Sequence, residues 1–99
     1  MEFKETVGID VSKKTLDVHI HKEKSYGQYD NDPKEIKKMI KWVFLMTQCA
    51  KDEVLFVLEH TGMYSDQIMA ILSEGDIKFS VVSGLERVGY QQKIVNIFL

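Results

Sequence analysis

Val7-Gly8-Ile9-Asp10-Val11-Ser12 is the stretch on which the reading of this chain turns. Val7, Ile9 and Val11 alternate with Gly8 and Asp10, the period of a strand with one apolar face. The polar face carries a carboxylate, which is costly in a strand interior unless a cation meets it. A second acid stands in a comparable place. Val54-Leu55-Phe56-Val57-Leu58 is continuously apolar, ends on Glu59 and runs into His60-Thr61-Gly62-Met63-Tyr64. Two carboxylates on neighbouring strands form a site for a hard divalent cation, Mg2+ or Mn2+, and such sites serve phosphodiester and phosphoryl chemistry.

Outward from Asp10, Ser12-Lys13-Lys14 reads as a polar turn, and Leu16, Val18 and Ile20 then alternate with Asp17, His19 and His21. That is a second, half-buried strand. Ser25 to Tyr29 reads as a third, weakened by Gly27. Short connections make these three an antiparallel meander. Asp32-Pro33-Lys34-Glu35 is a helix start, with Asp32 as cap, Pro33 at the first helical position and Glu35 reaching back as a capping box. Ile36, Met39, Ile40, Val43 and Phe44 follow as one apolar stripe. After the strand at 54–58, a second helix is expected over Met63 to Ser73, with Tyr64, Ile68, Ile71 and Leu72 inward and Gly75 as its stop. Ile77 to Val82 reads as the fifth strand.

The order β-β-β-α-β-α-β gives an α/β fold with a mixed five-stranded sheet. A right-handed crossover makes the first and fourth strands parallel neighbours. Asp10 and Glu59 then meet at the carboxyl end of the sheet, where open α/β sheets bind ligands. Residues 1–82 form the expected core. Residues 83–99 carry Leu85, Val88, Ile94, Val95, Ile97, Phe98 and Leu99, and read as a truncated tail.

Composition bounds the function. Ninety-nine residues suit one small domain, and 44% hydrophobic with 28% charged residues is the balance of a globular protein. A net charge of -2 means that nucleic acid must be met by a local basic patch. The single Cys49 excludes an intrachain disulfide and a cysteine zinc site, and fits a cytoplasmic protein. No apolar run is long enough for a membrane span.

Several other residues carry two readings. Lys13 and Lys14 are phosphate contacts or a solvated turn. Thr61 and Gly62 are a close approach to a ligand ahead of a helix, or an ordinary turn. Lys34, Lys37, Lys38 and Lys41 read as a wet helix face. His19 and His21 read as exposed strand histidines rather than metal ligands. Trp42 and Tyr26 either stack on bases or pack against the sheet.

The two motifs together, Val7 to Lys13 and Leu58 to Tyr64, resemble the N-terminal RuvC-like catalytic domain of the DEDD-type insertion-sequence transposases, the serine-containing, bridge-RNA-guided recombinases. The resemblance spans about residues 4 to 82. It implies a ribonuclease H-like fold and an Asp-Glu-Asp-Asp metal tetrad in which Asp10 matches the first Asp and Glu59 the Glu, as catalytic and metal-binding residues. The last two Asp of that pattern have no match, because no aspartate follows Asp76 and Glu86 is the sole later acid. The serine-bearing second domain of the family has no counterpart here.

The expectation is therefore an N-terminal fragment of a DNA transposase, inactive alone, holding Mg2+ or Mn2+ weakly without nucleic acid. Its partners would be DNA and guide RNA through the parent protein, with self-association into a homo-oligomer. Two alternatives stay open: a non-catalytic remnant that self-associates or binds nucleic acid, and a fragment of an actin- or sugar-kinase-like phosphotransferase. The latter family prefers Gly-Thr where this chain has Ser12-Lys13.

Overall fold

The structure is a computed structural model that describes residues 3–59 and 62–82. The expected tail at 83–99, with Glu86, lies outside the described residues. The strands are β1 (Glu5–Val11), β2 (Thr15–Ile20), β3 (Ser25–Asp30), β4 (Val54–Glu59) and β5 (Phe79–Val82); the α-helices are α1 (Pro33–Thr47) and α2 (Asp66–Glu74). The strands form one sheet in the order β3-β2-β1-β4-β5. β1, β2 and β3 make the antiparallel meander, while β1 with β4 and β4 with β5 are parallel. This mixed sheet has the ribonuclease H-like order read from the sequence.

The burial pattern follows the two periodicities. Val7, Ile9 and Val11 are buried on one face of β1, and Leu16, Val18 and Ile20 continue that face on β2. Ile36, Met39 and Val43 of α1 and Ile68 and Leu72 of α2 cover it, and both helices belong to one core cluster with the strands. Asp32 caps α1 by accepting from the Glu35 N–H at 2.8 Å. The reciprocal half of the box gives way to an ion pair, because Glu35 meets Lys38 at 3.3 Å one turn on. Gly27 is less a weak point than a fitting. A Cβ there would sit 3.2 Å from the Trp42 ring, so the missing side chain lets α1 lie close to β3. Trp42 therefore packs on the sheet, with Tyr29 at a ring-centroid distance of 5.8 Å.

Three local expectations need correction around α2. A 3-10 turn over Gly62–Ser65 precedes the helix, which starts at Asp66 rather than Met63. Tyr64 lies in that turn and is 39% exposed rather than inward. Gly75 is the expected stop, the C-cap of α2, but with a right-handed φ of -83°; the left-handed residue is Asp76 at 61°. Aspartate tolerates that region. Glycine serves instead to admit Ile77, whose Cδ1 would lie 3.2 Å from a Cβ at Gly75. The Ile77 N–H donates back to the Leu72 carbonyl at 2.9 Å, so Ile77 still belongs to the helix exit and β5 begins only at Phe79.

One charged residue is buried in the frame. Glu5 is 5% exposed at the start of β1. Its carboxylate accepts from the backbone N–H groups of Thr6 (2.9 Å), Lys22 (2.8 Å) and Glu23 (3.0 Å), tying β1 to the β2–β3 turn. Burial pushes its pKa upward, but these N–H donors, with His21 nearby, outweigh that and hold the carboxyl below the ordinary glutamate value. The ionised form is thus favoured by folding. Its contribution is present above the unfolded carboxyl pKa, about 4.3, and is lost as pH falls through the lower folded value. Glu5→Gln should cost about 1–3 kcal/mol near neutral pH. The gap from wild type in urea melts should narrow as pH falls toward 3; an equal gap at both ends would show that the ionised state is not what counts.

Candidate metal and phosphate site

The site is built from sheet register. In β1 and β4, Ile9 pairs with Leu58, and one step further along the same parallel register lie Asp10 and Glu59. On its other side Asp10 pairs directly with Asp17 of β2, which in turn pairs with Gln28 of β3. Glu59 pairs with Val82 of β5. A single row across the sheet therefore reads Gln28, Asp17, Asp10, Glu59, Val82, on the face opposite the two helices. Directly opposed residues have Cβ atoms about 5 Å apart. Two unscreened carboxylates at that spacing repel by roughly 3 kcal/mol at an effective dielectric of about 20.

Asp17 has partners on the neighbouring strand β3. Its Oδ1 accepts from the Tyr26 hydroxyl at 2.6 Å and from Gln28 Nε2 at 3.0 Å. The Tyr26 bond first, and the Gln28 bond second, hold the Asp17 carboxyl below its usual range, and the same contact raises the Tyr26 phenol. Asp10 and Glu59 line a cleft of about 210 Å3 together with Gly8, Ile9, His19, Val57 and Val82. Asp10 is exposed and Glu59 half-buried. The two acids picked from the sequence thus share one cleft at the carboxyl ends of adjacent parallel strands. Among the described residues no group of three or more His, Cys, Asp or Glu forms a metal-ligating cluster. The donor set in hand is two hard oxygen ligands, which suits Mg2+ or Mn2+ with water or phosphate completing the sphere.

A family model described as Transposase, of the DEDD class and IS110 type, matches residues 7–95. The chain belongs to that transposase family. No curated protein matches the chain. Among the described residues of this transposase domain, no helix is long and apolar enough to cross a membrane.

The remaining sequence candidates fall in three places. Lys13 and Lys14 are exposed at the tip of the β1–β2 turn, three and four residues beyond Asp10, and do not line the cleft. Gly62 opens the 3-10 turn after β4. Thr61 and His60 lie outside the described residues. The lysines of α1 are exposed, with Lys38 held by Glu35.

Two residues of the site were not singled out by sequence reasoning. Asp17 was passed over although a signal existed: with the turn centred on Lys13 and Lys14, residues 10 and 17 must face one another. Asn31 carried no signal. Its backbone N–H donates to the Lys14 carbonyl at 2.8 Å, and its Nδ2 donates to the carbonyls of Ser12 (2.9 Å) and Tyr64 (3.0 Å). One side chain therefore pins the loop after Asp10 to the turn that follows Glu59. The Ser12 hydroxyl tightens the same loop by donating to the Thr15 carbonyl at 3.0 Å, and the Thr15 N–H donates to Ser12 Oγ at 3.1 Å. Asn31→Ala should cost about 1–2 kcal/mol and speed amide hydrogen exchange in the 12–15 turn and in the turn after β4, leaving α1 protected. Unchanged exchange in both turns would mean that the clamp does not hold them together.

Proposed function

We propose that this chain is a catalytic-domain portion of a DNA transposase whose Asp10 and Glu59 hold a divalent cation for phosphodiester chemistry. The observation that carries this is the shared cleft of Asp10 and Glu59 on adjacent parallel strands, in a chain of the transposase family. Two carboxylate ligands side by side at the mouth of a cleft suit a hard cation of charge two. Mg2+ or Mn2+, when bound there, would neutralise phosphate charge and assist attack on phosphorus.

The protein's own residues do the positioning. Pairing of β1 with β4 sets the spacing of the two acids, and Asn31 ties together the loops that leave them. Tyr26 and Gln28 occupy Asp17, so that its charge is drawn toward β3 and away from competition for the cation. Lys13 and Lys14 stand on the loop beyond Asp10, where nucleic-acid phosphates leaving the cleft would meet them. Thr61 and Gly62 serve the same role on the Glu59 side. The partners that follow from this reading are DNA, a guide RNA and further copies of the chain, in the cytoplasm. With two acids at the cleft the cation is held weakly, and the isolated chain does not cleave DNA.

Titration with Mn2+ tests the reading. Paramagnetic broadening should appear first at the resonances of Asp10 and Glu59, and Asp10→Asn should weaken binding by about tenfold or more, the scale of ~1.4 kcal/mol for one lost charged ligand. Equal affinity in Asp10→Asn would remove the site from this cleft. Robust DNA cleavage by the isolated chain would overturn the expectation of inactivity.

A further inference from the structure

The cleft that holds Asp10 and Glu59 has one nitrogen-bearing side chain among its described lining residues, His19. The other lining groups are two carboxylates, three aliphatic side chains and Gly8. A phosphate brought to a cation there meets two negative groups and needs a donor. His19 is placed to be that donor. It pairs across β1–β2 with Gly8, and nothing lies within 4 Å of where a Cβ on Gly8 would sit. The floor beside the imidazole is therefore open.

His19 is also braced from behind. The ring of Tyr26, its cross-strand partner on β3, stands 4.8 Å away at a tilt of 46°. Tyr26 is itself anchored through its hydroxyl to Asp17 at 2.6 Å. Asp17, Tyr26 and His19 thus form a chain of contacts that holds an exposed imidazole in place. A second depression adjoins the first along the sheet, lined by Thr6, Gly8, His19, His21 and Val57. His19 and Gly8 belong to both, so a strand lying in one would pass the imidazole on its way to the other.

We propose that His19 is a nucleic-acid contact, donating an imidazole N–H to a phosphate oxygen of a single strand seated at the Asp10–Glu59 cleft. The inference rests on the cation-site reading above and adds a residue and a ligand group to it. Mg2+ prefers oxygen to imidazole nitrogen, so His19 acts on the phosphate and not on the metal.

The test uses the 99-residue chain, a six-nucleotide oligothymidylate as probe, and Mg2+ for DNA binding or Mn2+ alone for metal binding. His19→Phe keeps a ring and removes the donor; His19→Gln keeps a donor and removes the ring. His19→Phe should weaken oligonucleotide binding about tenfold, and His19→Gln should retain more of it. Both should bind Mn2+ as wild type does, with unchanged melting temperature. Tyr26→Phe, which frees the brace from Asp17, should give an intermediate loss. Full binding by His19→Phe, or retention by Phe with loss in Gln (the signature of base stacking), overturns the proposal. So does a matching loss of Mn2+ affinity, which would make His19 a metal ligand. The two readings fail separately: Asp10→Asn without effect on Mn2+ removes the cation site, whereas His19→Phe without effect on the oligonucleotide removes only the phosphate contact.

Discussion

Parallel pairing of β1 with β4 in one register is the constraint from which the rest of the molecule follows. Side-chain direction in a strand has a period of two, so a slip of one residue would turn Glu59 into the core and leave Leu58 on the open face. The core forbids that slip. Val7, Ile9, Phe56 and Leu58 are all buried and pack in a single cluster with both helices. The apolar face thus enforces the position of polar residues that contribute nothing to it. Register here is a stability device whose by-product is a pair of carboxylates held side by side.

The helices complete this constraint. α1 must cross from the edge strand β3 to the interior strand β4, and its length of 15 residues carries it over the meander. Gly27 and Trp42 set how closely it lies, and Gly75 with Ile77 does the same at the exit of α2. In both cases a missing Cβ matters for contact rather than for backbone freedom. The loops that leave the two acidic strands are then drawn together by Asn31. A polar side chain that reaches two carbonyls of separate turns converts sheet register, which fixes Cα positions, into a defined rim around the cleft.

The legible part of this architecture is the part written in short-range pattern. Alternation gave β1 and β2, the Asp32-Pro33 start gave α1, and the apolar run ending in Glu59 gave β4. Crossover handedness then puts Asp10 beside Glu59. What the pattern missed depends on contacts between distant residues. Tyr64 has the right spacing to be inward on a helix, but the turn preceding α2 is 3-10 and rotates it out. Ile77 is apolar and adjacent to a strand, yet its N–H is already engaged by Leu72. Glu5 looks like an unremarkable acid near the N-terminus, and only folding brings the N–H groups of Lys22 and Glu23 to it. Asn31 is invisible for the same reason.

Three acids show how the fold accommodates charge. Glu5 is buried, but three backbone N–H groups meet its carboxylate, so its ionised form is one the fold prefers. Asp17 is likewise met, by a hydroxyl and an amide, on the sheet's open face. Glu53 is held by Lys4 at 3.0 Å and by the Ala50 N–H at 2.8 Å. Each of these acids is answered where it stands by groups that folding brings to it. Asp10 and Glu59 are set next to each other by register and open onto the same cleft, in a row that also holds Asp17. The proposed cation and phosphate would bring a counter-charge to that row, and the phosphate would call for a donor beside it. His19 lines the same cleft, its ring beside that of Tyr26, whose hydroxyl donates to Asp17.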